Sequence, residues 1–135
     1  MKYSGERLLP EECSGKIAAE HYQRYQLASQ IVRGKTVLDA ACGEGYGSSL
    51  LARDADKVFG LDIDDASVRD ASAKYGAQNL TFIQGSIANL PFRDSFFDVA
   101  VSYETIEHVD AETQRLFLTE IKRTLKPGGI LIMST

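Results

Sequence analysis

The chain has 135 residues, with 15 Lys+Arg against 19 Asp+Glu and a formal net charge of -4. At ~100–200 residues per domain that is one domain, and its 44% hydrophobic and 25% charged fractions are those of an ordinary globular protein able to bury a core without staples. No window reaches the ~18 apolar residues of a membrane span, residues 1–6 lack the apolar core of a signal peptide, and the mild acidity argues against duplex nucleic acid as partner.

Taken in chain order, the pattern opens with an amphipathic helix, in which Ile17, Ala18, Tyr22, Tyr25, Ala28 and Val32 recur at spacings of three and four. Thr36-Val37-Leu38 is a first strand reaching Asp39, and a short helix after Gly45 carries Leu50 and Leu51. Lys57-Val58-Phe59-Gly60-Leu61 is a second strand ending at Asp62. Asp65 is placed to cap a helix with Val68, Ala71 and Tyr75 that stops at Gly76. Leu80-Thr81-Phe82-Ile83 and Phe97-Asp98-Val99-Ala100-Val101 are the third and fourth strands. Asp110 caps a last helix with Phe117, Ile121 and Leu125 on one face, ended by Pro127-Gly128-Gly129 before a fifth strand, Ile130-Leu131-Ile132-Met133. Runs apolar on successive residues suit strands buried on both faces. Alternation with helices predicts a doubly wound, Rossmann-like α/β fold. Cys13 and Cys42 sit far apart in unlike contexts and form no disulfide framework, which together with the missing leader predicts a cytoplasmic protein.

In an open parallel sheet, ligands bind beyond the carboxyl ends of the strands. There the chain reads Asp39-Ala40-Ala41-Cys42-Gly43-Glu44-Gly45-Tyr46-Gly47. Alternate glycines let the backbone turn tightly and approach a ligand, and the following helix N-terminus favours an anion. A tight turn without a ligand fits the same letters. Asp62 after the next strand, at about the spacing of a ribose-binding acid, makes a nucleoside the better reading. A dinucleotide fingerprint needs glycine where Ser48 stands, and no phosphate-loop Gly-Lys-Ser/Thr is present. Asp39 suits the ammonium of an amino-acid moiety better than a pyrophosphate. An NAD-binding oxidoreductase is thereby disfavoured.

The 39–47 segment resembles the first motif of class I S-adenosylmethionine (SAM)-dependent methyltransferases, of the type 11-like domain. Gly60-Leu61-Asp62-Ile63 resembles their ribose motif, and Gln84-Gly85-Ser86-Ile87-Ala88-Asn89-Leu90-Pro91-Phe92 their adenine-side loop, with Ser86 where many relatives carry Asp. Ser102-Tyr103-Glu104-Thr105-Ile106-Glu107-His108-Val109 and Leu125-Lys126-Pro127-Gly128-Gly129-Ile130-Leu131 resemble the loop after the fourth strand and the turn into the fifth. Segments 5–10 and 20–25 resemble the leader of a bacterial branch often found near glycosyltransferases.

The resemblance implies a core over residues 35–135 with strand order 3-2-1-4-5, preceded by a segment and lid helix over 1–34, in which His21, Arg24 and Tyr25 are candidate contacts. It implies that Ala41, Gly43 and Gly45 pass the methionine portion of SAM while Asp39 orients its amine. Asp62 takes the ribose hydroxyls, Ile63 and Ile87 face the adenine, Ser86 sits at its edge and Glu104 lies beside the methyl donor. The expected reaction is methyl transfer to a small-molecule or sugar hydroxyl, leaving S-adenosylhomocysteine (SAH), with His108 as the candidate base. A histidine that merely braces its loop fits equally well. Glu104, Glu107 and His108 also form a donor set that suits a divalent cation, Mg²⁺ where oxygens dominate; otherwise no metal is expected. Strands six and seven of the family are not seen, so Ile130 to Met133 is expected as a bare edge inviting a homodimer. A non-catalytic SAM-binding module completed by a partner or a further segment is the alternative function.

Overall fold

The computed structural model describes the backbone of residues 15–103 and 105–134, with side chains from residue 23 onward. Helix α1 (Gly15–Ile31) leads to β1 (Thr36–Ala40), α2 (Tyr46–Leu51), β2 (Lys57–Asp62), α3 (Asp65–Lys74) and β3 (Leu80–Gln84). Then follow β4 (Phe97–Tyr103), a 3₁₀ turn (Ile106–His108), α4 (Ala111–Thr124) and β5 (Leu125–Ser134). All neighbouring strands run parallel in the order β3-β2-β1-β4-β5, the expected doubly wound arrangement.

Each central strand alternates its side chains between two cores. Val37, Val58, Val99 and Val101 pack under α1 and α2 against Tyr25, Ala28, Val32, Leu50 and Leu51. Leu38, Ala40, Leu61 and Ala100 face the other way, against Phe117 and Ile121 of α4 and against Leu90. Burial on both faces explains why these strands read as unbroken apolar runs.

Three boundaries differ from expectation. The cap residue of α3 is Asp64, one earlier than Asp65; Asp64 accepts from the Ser67 hydroxyl at 2.8 Å, and Asp65 becomes the first helical residue. Asp110 does cap α4, its carboxylate accepting the Thr113 amide at 2.7 Å. Leu125 does not extend that helix but begins β5, opposite Phe97. The register then jumps so that Val99 faces Ile130. Pro127-Gly128-Gly129, read as a terminator, is therefore part of a bulge within the strand, where Pro needs no ladder partner and Gly128 adopts a φ of 82°.

Candidate functional site

β1 and β2 end side by side, with Ala40 opposite Leu61, so the segments after them meet at the carboxyl edge of the sheet. Asp62 fixes that meeting. One carboxylate oxygen accepts the Gly43 amide at 2.8 Å and the other accepts the Asp64 amide at 3.0 Å. The Cys42 amide donates to the Leu61 carbonyl at 2.8 Å, lacing the same two segments.

Beyond Asp62 opens a cleft of about 380 Å³, lined by Ala41, Asp62, Ile63, Ser86, Ile87 and His108 together with Asp64, Gly85, Thr105, Val109 and Thr113. That volume lies in the ordinary range for small-molecule sites. Five of the expected cofactor residues and the expected base thus converge on one hollow. Ile63 is 65% exposed there, an apolar side chain held open on a loop. Ser86 turns its own loop, its hydroxyl accepting the Ala88 amide at 3.1 Å and its carbonyl the Asn89 amide at 3.2 Å. His108 ends the 3₁₀ turn, which Gln114 of α4 holds by donating to the carbonyls of Ile106 and Val109 at 2.9 and 3.2 Å.

The remaining expected residues lie elsewhere. Asp39 is fully buried beneath the loop, accepting from the Ser48 hydroxyl at 2.7 Å and from Tyr25. Burial pushes its carboxyl up to about 7, against those hydrogen bonds and with help from the charge of Asp62. Gly45 has a φ of 91°, and a Cβ there would lie 2.8 Å from Ala71 and 2.9 Å from the Phe82 ring. Its glycine is demanded by helix–sheet packing as well as by backbone conformation. Helix α2 has only six residues, so the anion-binding dipole expected of it is slight. Burial pushes the Cys42 thiol far up, which leaves it a packing residue and no nucleophile. Glu104, Cys13 and the His21 side chain lie outside the described residues, and so does the 5–10 segment. Among the described residues no cluster of His, Cys, Asp or Glu is arranged to hold a metal ion.

Sequence reasoning missed what lies under the loop. A Cβ on Gly47 would collide with the ring of Tyr25, so this third glycine seats an aromatic side chain. That ring stands edge-on to Tyr103 with centroids 5.0 Å apart, and the Tyr103 hydroxyl donates to the Arg24 carbonyl at 2.9 Å. Helix α1 is thereby pinned beside the site.

The fold and this site define a class, and comparison with known proteins agrees. Residues 38–133 match the model of the methyltransferase domain family, and the chain belongs to it. A probable S-adenosylmethionine-dependent methyltransferase of Mycolicibacterium smegmatis is 38% identical over 98% of this chain and 50% of its own length. The phthiotriol/phenolphthiotriol dimycocerosates methyltransferase of Mycobacterium tuberculosis is 36% identical over 90% of this chain and 46% of its own. Among solved structures, the PH0226 protein from Pyrococcus horikoshii superimposes with a TM-score of 0.78 at 32% identity, covering 89% of this chain and 58% of that one. The chain thus spans about half the length of the curated relatives it matches.

Proposed function

We propose that the cleft binds SAM and that the chain carries the cofactor half of a methyltransferase acting on a hydroxyl of a small-molecule or sugar acceptor. One observation carries the reading: the Asp62 carboxylate is oriented by two backbone amides at the rim of a mostly apolar cleft. Each carboxylate oxygen retains acceptor capacity beyond those amides, which suits a pair of ribose hydroxyls. Ile63 and Ile87 offer apolar faces for a base, Ser86 a polar edge, and the Ala41–Gly43 turn a path for the methionine chain. Asp39, one layer deeper, is the acid proposed to orient the amine. The helix α1 acts as the lid of the 35–135 core.

When bound, SAM supplies an electrophilic methyl group whose transfer needs alignment more than covalent help. His108 would take the proton of the acceptor hydroxyl as its oxygen receives the methyl group, leaving SAH. Thr105 and Val109 line the same cleft beside it. The name of the M. tuberculosis relative adds dimycocerosate lipids to the acceptors worth assaying. The reading includes a cytoplasmic location, which suits the free Cys42 thiol. No helix among the described residues is long and apolar enough to cross a membrane. A second copy pairing along β5, beside the exposed Ile130 and Met133, completes the proposal.

Calorimetric titration with SAM, SAH and NAD tests the cofactor. Binding of the first two and not the third is expected, and NAD binding alone would return the oxidoreductase alternative. Turnover with a hydroxyl acceptor then separates an enzyme from a binding module.

A further inference from the structure

Helix α4 carries a charged pair that turns inward onto the backbone of the loop walling the cleft. The Glu120 and Arg123 side chains are only 14% and 31% exposed. All five N–H groups of the guanidinium are used. Nε and Nη2 donate to the two oxygens of Glu120 at 2.8 and 3.0 Å. Nη2 also donates to the Leu90 carbonyl at 3.0 Å, and Nη1 to the Phe92 carbonyl at 2.8 Å and to Asp94 at 2.9 Å. Glu120 in turn accepts the Leu90 amide at 2.8 Å. The seam continues where the Ser95 and Phe96 amides donate to the carbonyls of Arg123 and Thr124 at 3.0 and 2.7 Å.

This clamp bears on a short span. Residues 86–89 run between Gly85, whose amide donates to the Asp62 carbonyl at 2.9 Å, and Leu90, which is 3% exposed and packed with Phe117 and Ile121. Ser86 and Ile87 of that span line the cleft, whereas Glu120 and Arg123 are not among its lining residues. By contrast, the pair Glu112–Arg115 on the same helix faces solvent, with side chains 64% and 63% exposed.

We infer that Glu120 and Arg123 are positioning residues for the nucleobase wall of the cleft. They hold the 86–89 span so that Ser86 meets the edge and Ile87 the face of an adenine base, and they thereby set base selectivity. The inference rests on the cofactor reading above. Lysine cannot replace Arg123, because a single ammonium cannot serve Leu90, Phe92, Asp94 and both oxygens of Glu120 at once.

The test uses the whole chain and its Arg123→Lys, Glu120→Gln and Arg115→Lys variants. Each is titrated with SAH and with S-inosylhomocysteine, in which hypoxanthine replaces adenine, and amide exchange is followed without ligand. Arg123→Lys should raise the Kd for SAH by roughly tenfold or more, since buried acceptors lose their partners. It should also bring the preference for SAH over the inosine analogue close to one, and speed exchange over residues 86–92 while β1 stays protected. Glu120→Gln should move the same readouts less, and Arg115→Lys should leave them alone. Equal weakening of both nucleosides together with a lowered melting temperature would reduce the pair to general stability and overturn the inference. Unchanged selectivity in folded variants would overturn it as well. A wild type that binds neither nucleoside would instead bring down the cofactor reading, and the inference with it.

Discussion

The hydroxyl of Tyr25 on α1 lies 3.3 and 3.4 Å from the two carboxylate oxygens of Asp39 at the end of β1. Helix α1 and the end of β1 are thus joined by one long, shared hydrogen bond over a buried acid. Because burial holds the Asp39 carboxyl up to about 7, the folded chain keeps a proton there that the unfolded chain releases at about pH 4. The folded state binds more protons across that window, so stability from this group is present below about pH 4 and lost as pH rises toward about 7. Urea unfolding of the wild type should therefore lose ground to Asp39→Asn between pH 5 and 7. The carboxylates of Asp98 and Glu120, which their partners hold low, act in both proteins and cancel. Parallel stability curves would contradict the buried acid.

Gly47 seats the Tyr25 ring. Gly47→Ala should expel that side chain and cost on the order of 1–3 kcal/mol, as overpacking does in cores. Tyr25→Phe, which keeps the ring and drops the hydroxyl, should cost less, about 1 kcal/mol. Gly45→Val should unfold the loop against Ala71 and Phe82, so its loss of SAM binding would come with lost stability and would not by itself report the cofactor path. Thermal melts are the check, with Tyr25→Phe the mildest of the three variants and Gly45→Val the most severe.

Much of this was legible in the letters, and the rest was hidden for physical reasons. The doubly wound alternation and the Asp62 position follow from apolar runs and spacing, because each strand end delivers its next residues to the same edge. The strand order and the places of Ile63, Ser86 and Ile87 are what the family resemblance implies. The Tyr25–Asp39 contact joins residues 14 apart across two elements, and no periodicity encodes it. Arg123 reads as one more surface charge on a helix until the loop at Leu90 and Phe92 folds over it. Pro127-Gly128-Gly129 reads as a stop because a bulge needs the same residues as a turn. Asp64 and Asp65 are adjacent potential caps, and only the fold shows that the Ser67 hydroxyl donates to Asp64.

His108 stands at the cleft wall on a turn braced by Gln114. If it is the base, His108→Ala should cut turnover by about 10²-fold or more and leave SAM affinity within a few-fold. Loss of activity on EDTA and its return with Mg²⁺ would favour the Glu104, Glu107 and His108 cation site. Full activity of the variant would remove both roles.

β5 is an outer strand of the described sheet, and Ile130 and Met133 on it are 43% and 41% exposed. Ile132 packs partly into the core beneath α1, so charge belongs at Ile130 and Met133 if the edge alone is to be probed. Sedimentation should show a wild-type dimer and a monomeric Ile130→Lys/Met133→Lys variant. A wild type that stays monomeric at high concentration would rule the dimer out, and a dimer that survives both lysines would put the interface elsewhere.

The central claim is that Asp62, braced by the amides of Gly43 and Asp64, receives the ribose of SAM. Calorimetric titration of the wild type, Asp62→Asn and Asp62→Ala with SAH tests it most directly. The account predicts a wild type that binds, an Asp62→Ala variant weakened by ~2–5 kcal/mol, and an Asp62→Asn variant in between, all three folded by circular dichroism. Unchanged SAH affinity in a folded Asp62→Ala protein would contradict it.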